Sequence, residues 1–154
     1  MAQEELKVSQ AMEKSVMVVE LNVSARGCAK AMAKRGVSCA VITQNGRAVG
    51  IVTERDLVSK VMAEPIDADK VLVRDIMSTP LITIVPDALL KEAAELMAAY
   101  RVRRLVVLDR AGALVGIVTT GDIARTMAEK QGYREATFNA MARYKEGIEG
   151  GPYQ

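Results

Sequence analysis

The pentapeptide Val49-Gly50-Ile51-Val52-Thr53 occurs a second time, unchanged, as Val115-Gly116-Ile117-Val118-Thr119. An aspartate follows each threonine by three positions, as Asp56 and Asp122. Both features are separated by the same 66 positions in the chain. A five-residue identity with a shared downstream acid indicates an internal duplication, which decides the fold before any single element is assigned.

The duplication extends upstream of the pentapeptide, where the second copy has one more residue than the first. The apolar residues there recur at a separation of 65 instead of 66 positions. We therefore expect the extra residue in the second hairpin, around Asp109–Gly112. The apolar pairs that define this separation are Val8 with Val73, Met12 with Met77, Met32 with Met97, and Val37 with Val102.

Each copy begins with the signals of a strand followed by a helix. A short apolar stretch, Val16–Val19 or Leu81–Val85, predicts the first strand. Asn22 and Asp87 are favourable N-cap residues and predict where the following helix begins. That helix carries a stripe of small or flexible apolar residues that indicates close packing against its neighbour. The stripe consists of Ala25, Cys28, Ala29 and Met32 in the first copy and Leu90, Ala93, Ala94 and Met97 in the second.

A hairpin and a second helix complete each copy. Segments Ser38–Thr43 and Arg104–Leu108 lead into turns at Asn45-Gly46 and Ala111-Gly112, and the repeated Val-Gly-Ile-Val runs lead out. Asn-Gly is the strongest short hairpin signal because both turn positions need a positive φ. The closing helix carries apolar residues at Val58, Val61 and Met62, or at Ile123 and Met127.

These elements predict an α/β (α+β) fold of two β-α-β-β-α repeats. One copy cannot cover both faces of its sheet, so the two should pack through their sheets with pseudo-two-fold symmetry. We expect repeat 1 over 7–63, an exposed linker over 64–72, repeat 2 over 73–130 and a helical tail over 131–154. Gly50 and Gly116 would let the paired copy or a ligand approach the strand closely.

Composition excludes several functional classes. The 154 residues are 50% hydrophobic and 26% charged, which is typical of a globular domain. The absence of histidine excludes Ser-His and Cys-His nucleophile pairs and all histidine metal sites. A formal charge of +2 is too small to favour nucleic acid or an acidic membrane surface.

The two cysteines and the first residues of the chain indicate in which cellular compartment the protein is expected. Cys28 and Cys39 cannot form a disulfide framework or a four-cysteine zinc site, so we expect buried reduced thiols and no metal centre. Met1–Lys7 is polar and does not resemble a signal peptide. No run approaches the ~18–20 apolar residues that a membrane span requires. We expect a cytoplasmic protein without a membrane partner.

The repeated Thr-x-x-Asp has two interpretations. It is an ordinary capping box, in which the threonine and the acid satisfy each other's backbone N–H groups. The same atoms could instead bind a nucleotide. A helix start and a threonine hydroxyl favour phosphate, and a carboxylate one turn later accepts both hydrogens of a ribose diol. The sequence leaves both interpretations open.

With Gly-Ile-Val-Thr-Glu-Arg-Asp-Leu at 50–57 and Gly-Ile-Val-Thr-Thr-Gly-Asp-Ile at 116–123, the unit resembles a tandem pair of cystathionine-β-synthase (CBS) domains, a Bateman module. The resemblance covers about residues 7–130. It implies a regulatory module that binds AMP, ADP or ATP in clefts between the copies and commonly dimerises. It implies no cofactor, and it leaves Mg²⁺ open as a companion of ATP.

The resemblance assigns three contributors to each cleft. They are an adenine-binding segment (Ser15–Met17 or Thr79–Leu81), a phosphate- or ribose-binding residue (Val37 or Arg103), and the Thr-x-x-Asp closing motif (Thr53 with Asp56, or Thr119 with Asp122). We expect the principal site in the second copy, because Thr79 offers adenine a polar contact and Arg103 offers phosphate a fixed cation. An alternative is that the basic run at 101–104 is a solvated strand edge. The residues of this site are Thr79, Pro80, Leu81, Val102, Arg103, Arg104, Thr119 and Asp122.

The corresponding site in the first copy has a weaker charge set. Uncharged Val37 takes the position of Arg103, and Arg55 could compensate from the closing helix, where the second copy has Gly121. The residues of this second site are Ser15, Val16, Met17, Val37, Ser38, Thr53, Arg55 and Asp56.

The tail outside the repeat is unusually aromatic, and residues Arg134–Glu146 suit a helix. This helix could cover the module or its dimer mate, or it could dock another protein. Four of the five aromatic residues of the chain lie in this tail: Tyr133, Phe138, Tyr144 and Tyr153.

The leading functional hypothesis is a non-catalytic nucleotide sensor, acting as a homodimer on a separate partner protein. One alternative is a binder of S-adenosylmethionine or a related adenosyl compound, which has no phosphate. Another is nucleic-acid binding by the basic strand edge and the tail, which the small net charge disfavours. An enzyme is the weakest interpretation, because no pair of side chains suggests catalysis.

Overall fold

The computed structural model describes residues 5–130 of the chain, and the predicted tail helix over Arg134–Glu146 lies outside them. Two three-stranded sheets with flanking helices form an α+β fold, as predicted. The helices are α1 (Val8–Ala11), α2 (Ala25–Arg35), α3 (Glu54–Leu57), α4 (Val73–Ile76), α5 (Leu90–Tyr100) and α6 (Thr120–Lys130), and a π-helical turn spans Val58–Met62. The strands are β1 (Val18–Glu20), β2 (Cys39–Gln44), β3 (Arg47–Thr53), β4 (Thr83–Ile84), β5 (Arg104–Leu108) and β6 (Leu114–Thr119).

The two sheets share one topology, with strand orders β1-β2-β3 and β4-β5-β6. In each, the first strand runs parallel to the central strand and the last runs antiparallel to it. β1 and β4, of three and two residues, are shorter than the predicted Val16–Val19 and Leu81–Val85, although Met17 and Ile82 just before them accept the N–H groups of Val41 and Val106. The repeated sheets confirm the duplication.

The hairpins carry the expected turn chemistry. Asn45 and Gly46 both have positive φ, at 51° and 79°, as an Asn-Gly hairpin turn requires. The second hairpin has a longer turn, closed by the Asp109 carboxylate, which accepts the N–H groups of Ala111 at 3.0 Å and Ala113 at 2.8 Å. The one residue by which the second copy is longer than the first is therefore located in this turn.

The prediction of Asn22 as the N-cap of α2 is wrong. The helix begins two residues later, after Ser24, whose hydroxyl accepts the N–H of Gly27 at 3.0 Å. Asn22 lies in the preceding turn and is exposed. Both residues are good caps, but only Ser24 adjoins the first helical turn.

Asp87 is likewise not the N-cap of α5. The helix begins after Leu89, whose N–H donates to the carboxylate of Glu92 at 2.7 Å. Asp87 instead accepts a hydrogen bond from Arg110 at 2.9 Å, across the second hairpin. This hydrogen bond lowers the pKa of the Asp87 carboxyl.

The helices bury most, but not all, of the predicted apolar residues. Ala29 is only partly buried and Ala94 is exposed. In the closing helices Val61 and Ile123 are buried, while Val58, Met62 and Met127 are exposed by 61%, 82% and 44%. The buried members of the first-helix stripes are Ala25, Cys28 and Met32 in α2 and Leu90, Ala93 and Met97 in α5.

The two repeats exchange their short first helices. α1 packs into the core of the second sheet, where Val8 donates its N–H to the carbonyl of Ala88 at 2.8 Å. α4 packs into the core of the first sheet, where Val73 donates its N–H to the carbonyl of Val23 at 2.9 Å. Each core is therefore completed by a helix that precedes the other repeat, which interlocks the two halves.

Gly50 and Gly116 lie where the exchanged segments cross the sheets. A Cβ at Gly50 would meet the side chain of Met77, just after α4. A Cβ at Gly116 would lie 2.8 Å from the sulfur of Met12 and 2.9 Å from the carbonyl oxygen of Glu13. The expected close approach of the paired copy is confirmed at both glycines.

Candidate functional site

A cleft of about 1130 Å³ lies between the two repeats, slightly larger than the roughly 300–1,000 Å³ that is typical of small-molecule sites. One side is formed by the segment that enters β1 and by the end of α2 with the start of β2; these residues are Ser15, Val16, Met17, Ala29, Met32, Ala33, Arg35, Gly36, Val37, Ser38 and Cys39. The other side is formed by the start of β5 and the β6–α6 junction, namely Arg103, Arg104, Ile117, Thr119, Thr120, Gly121, Asp122 and Arg125, with Glu13, Glu54 and Leu57 at the margin.

The cleft combines residues that the sequence assigned to different sites. Ser15, Val16, Met17, Val37 and Ser38 were expected with the first copy's closing motif, but they face Thr119 and Asp122 of the second copy. The exchanged α1 explains this grouping. Glu13, which follows α1, pairs with Ile117 through N–H···O bonds of 2.8 and 3.0 Å, so the next residues lie beside the end of β6.

The remaining predicted residues lie elsewhere. Val102 lines a smaller cavity of about 460 Å³ beside α5, and Arg103 borders both cavities. Neither cavity is lined by Thr53, Arg55, Asp56, Thr79, Pro80 or Leu81. Residues of the two expected sites are therefore brought together in one large cleft, whose opposite sides come from different repeats.

The second closing motif is a capping box that faces this cleft. Asp122 Oδ2 accepts the N–H of Thr119 at 2.9 Å, and Thr119 Oγ1 accepts the N–H of Asp122 at 3.1 Å. Asp122 Oδ1 accepts a hydrogen bond from Arg125 at 2.9 Å, and the carboxylate side chain is 13% exposed. The first turn of α6 therefore presents both the positive end of its helix dipole and a positioned carboxylate to the cleft.

The first closing motif has the same geometry, but Thr53 and Asp56 line neither cavity, whereas Glu54 and Leu57 of the same junction line the cleft. Asp56 Oδ2 accepts the N–H of Thr53 at 2.8 Å and its hydroxyl at 3.1 Å. The N–H of Asp56 donates to Thr53 Oγ1 at 3.2 Å, which completes the capping box. The capping interpretation is confirmed at both junctions, and Asp122, unlike Asp56, also lines a described cavity.

Two of the four arginines that line the cleft donate to serine hydroxyls. Arg104 donates to Ser38 Oγ at 3.2 Å across the repeat boundary, and Arg35 donates to Ser15 Oγ at 3.2 Å. The Nε of Arg104 is buried and has no hydrogen-bond partner among residues 5–130. Because a buried donor without a partner is costly, this N–H would gain from an anionic ligand.

Arg35, Arg125 and Cys39 line the cleft but were not predicted as site residues. Arg35 ends α2 just before Gly36, and Arg125 stands three positions after Asp122, a spacing at which helical side chains pair. The helical spacing could have identified Arg125 beforehand. Cys39 was expected to be buried among apolar residues, but it is half-buried and lines the cleft, whereas Cys28 is fully buried as predicted.

We expect Cys39 to report on the cleft through its labelling by an aromatic disulfide reagent. Burial raises the pKa of the Cys39 thiol, an effect that the nearby Arg104 partly offsets. Because the thiolate is the reactive form, labelling at pH 8 should be slower than for a free thiol and should accelerate as the pH rises above about 8.5. Cys39→Ser should abolish this pH-dependent labelling. Labelling at the free-thiol rate at pH 8 would contradict the described environment.

The profile of the CBS domain family matches residues 8–63 and again residues 73–129. The chain therefore belongs to the CBS domain family, as a tandem CBS pair. Within residues 5–130, no helix is both long and apolar enough to span a membrane.

The relatives of this chain share the pair over most of its length. Protein MK0525 of Methanopyrus kandleri is 38% identical over 119 residues, covering 76% of this chain and 59% of that protein. The CBS domain-containing protein YhcV of Bacillus subtilis is 30% identical over 132 residues, covering 86% of this chain and 93% of that protein. The chain spans about three fifths of the length of two archaeal relatives.

A solved CBS domain pair has the same fold. The pair of protein MJ0100, crystallised with 5′-methylthioadenosine and S-adenosyl-L-methionine, superposes with a TM-score of 0.73 at 28% sequence identity. The superposition covers 82% of this chain and 99% of that one.

Proposed function

We propose that this protein is a regulatory module that binds an adenosine nucleotide, AMP, ADP or ATP, in the cleft between its two CBS repeats. The observation that carries the proposal is the meeting of Asp122 with Arg103 and Arg104 in one cleft of about 1130 Å³. A carboxylate for a ribose diol and guanidinium groups for phosphate are the recognition elements of a nucleotide.

Each side of the cleft has a separate role in this proposal. The segment Ser15–Met17 would contact the adenine, with Met17 buried and Val16 half-buried beside it. Asp122 would accept the ribose hydroxyls, and the first turn of α6 would face the phosphate with its dipole and the N–H of Gly121, because the N–H groups of Thr120 and Asp122 already donate to Arg103 and Thr119. Arg103 has no side-chain hydrogen bond or ion pair among residues 5–130, so it is free to bind phosphate.

The module would act by changing shape and not by catalysis. Sensing requires that the ligand bind one arrangement of the two repeats better than another. The two sides of the cleft belong to different repeats, so a ligand that contacts both sides would favour one arrangement of the repeats. The proposal includes a homodimer, for which the exposed Val58 and Met62 offer apolar surface, and a separate partner protein that responds to the ligand.

A second candidate is an adenosyl compound without phosphate. The related pair of protein MJ0100 was crystallised with such compounds, which carry the same adenine and ribose diol as a nucleotide. Arg103 separates the two candidates. Arg103→Ala should weaken a nucleotide at least about tenfold, because a charge-assisted contact is lost, and should leave 5′-methylthioadenosine, which carries no charge, unaffected.

The proposal predicts a rise in melting temperature with an adenosine ligand. A ligand at about 100 times its Kd should stabilise the folded chain by about 2.7 kcal/mol, because it binds the native state alone. Scanning fluorimetry with AMP, ADP, ATP and S-adenosylmethionine, on the wild type and Arg103→Ala, measures both the shift and its phosphate dependence. A wild-type chain whose melting temperature none of these compounds changes would overturn the proposal.

A further inference from the structure

The two closing motifs differ in the cation that pairs with the aspartate. Asp122 Oδ1 accepts a hydrogen bond from Nη2 of Arg125, three positions later, at 2.9 Å. Asp56 Oδ1 pairs with Nζ of Lys60, four positions later, at 3.1 Å. In each motif the other carboxylate oxygen caps the helix, so Oδ1 is the oxygen that a ligand hydroxyl would approach.

Lys60 is held in place and Arg125 is not. Besides Asp56, the Lys60 ammonium donates to the carbonyl of Ile76 at 2.9 Å, and the π-helical turn carries it there. Within residues 5–130, Asp122 is the one hydrogen-bond partner of the Arg125 guanidinium, whose side chain is 40% exposed and lines the cleft. Arg125 can therefore leave Asp122 without breaking another contact of the described chain.

We propose that Arg125 is a specificity-determining residue that exchanges partners when the ligand binds. The ribose hydroxyls would take its place on Asp122 Oδ1, and the guanidinium would turn to the phosphate of the same ligand. This inference rests on the proposed nucleotide site and deepens it. The class of ligand selected is a ribonucleoside phosphate with a free 2′,3′-diol.

The exchange makes the diol and the phosphate depend on each other. A nucleoside without phosphate displaces Arg125 from Asp122 and leaves the guanidinium without a new anion. A nucleotide supplies that anion, so an ion pair between Arg125 and the phosphate replaces the one between Arg125 and Asp122. Arg125 therefore opposes phosphate-free ligands and favours phosphate-bearing ones, which a residue that merely supported Asp122 would not do.

The test is isothermal titration of the full chain with AMP and with adenosine. We expect the wild type to prefer AMP and Arg125→Gln to lower the AMP-to-adenosine affinity ratio about tenfold or more, through weaker AMP binding with adenosine binding equal or tighter. Arg125→Lys, which keeps the charge, should restore part of the ratio. Lys60→Gln, the equivalent change in the other motif, should leave the ratio unchanged.

Two outcomes would overturn the inference, and they are distinguishable. If Arg125→Gln weakens AMP and adenosine by the same factor, Arg125 only holds Asp122 in place, and the nucleotide site stands without the exchange. If the wild type binds neither compound, nor ADP, ATP or S-adenosylmethionine, the proposed function itself fails. Ligand-free melting curves of each variant establish that the chain is folded before titration.

Discussion

Replacing Asp122 with asparagine is expected to lower the affinity for AMP about 10- to 100-fold, because hydrogen bonds to a charged group contribute about 1.5–3 kcal/mol. Asp122 Oδ1 can accept from the diol while Oδ2 caps the helix, whereas an asparagine has one acceptor oxygen and turns its NH2 donor either toward the diol or toward the Thr119 N–H. Titration with AMP measures the loss. The ligand-induced rise in melting temperature should shrink in proportion.

Asp122 also caps α6, so the control must separate binding from folding. Glu92→Gln removes a carboxylate that caps α5 at 2.7 Å and lines neither cavity. It should cost less than about 1 kcal/mol of stability, because the amide oxygen can still accept the Leu89 N–H and only the charge at the helix start is lost, and it should leave AMP affinity unchanged. Asp56→Asn tests whether the first closing motif also binds ligand. We expect it to lower stability about as much as Asp122→Asn does, with little loss of AMP affinity.

The result for Asp122 would contradict the site in either of two ways. AMP affinity could survive Asp122→Asn, or it could fall equally in Asp122→Asn and Glu92→Gln. The first outcome would reduce the repeated motif to a pair of helix caps. The second would show that a general loss of helix stability, and not a missing diol contact, weakens the ligand.

The duplicated pentapeptide predicted the fold because its signals are local. An Asn-Gly turn, alternating apolar strands and a helix after each threonine depend on neighbours in sequence, and each is present. The helix starts were less secure, because Asn22 and Ser24 are both good caps and only the packing of α2 selects between them. Local signals fix the type of an element better than its end.

The composition of the cleft could not be predicted from either repeat alone. No residue near Val8 in the sequence indicates that the Val8 side chain packs in the core of the second sheet. That exchange carries Ser15–Met17 to the end of β6 and so decides which adenine-side segment meets which aspartate. Residue types follow from the motif, whereas their grouping follows from contacts between residues about a hundred positions apart.

Gly116→Ala is expected to destabilise the chain by about 2–3 kcal/mol, the upper part of the range for overpacking a core. The new methyl group would lie 2.9 Å from the carbonyl oxygen of Glu13, which is backbone and cannot rotate away. That oxygen accepts the N–H of Ile117 at 3.0 Å, so moving it breaks the bridge between α1's segment and β6. Urea denaturation of the ligand-free chain measures the loss.

Gly50→Ala is the matched control because it stands at the equivalent position of the first repeat. Its methyl group meets the side chain of Met77, whose sulfur and outer carbons can change rotamer, so we expect a smaller loss of about 1 kcal/mol. The two variants should also differ in binding. Gly116→Ala displaces the segment that leads to Ser15–Met17 and should weaken AMP as well, whereas Gly50→Ala should not. Equal stability losses, or an AMP affinity that survives Gly116→Ala unchanged, would contradict the coupling of the exchanged segment to the cleft.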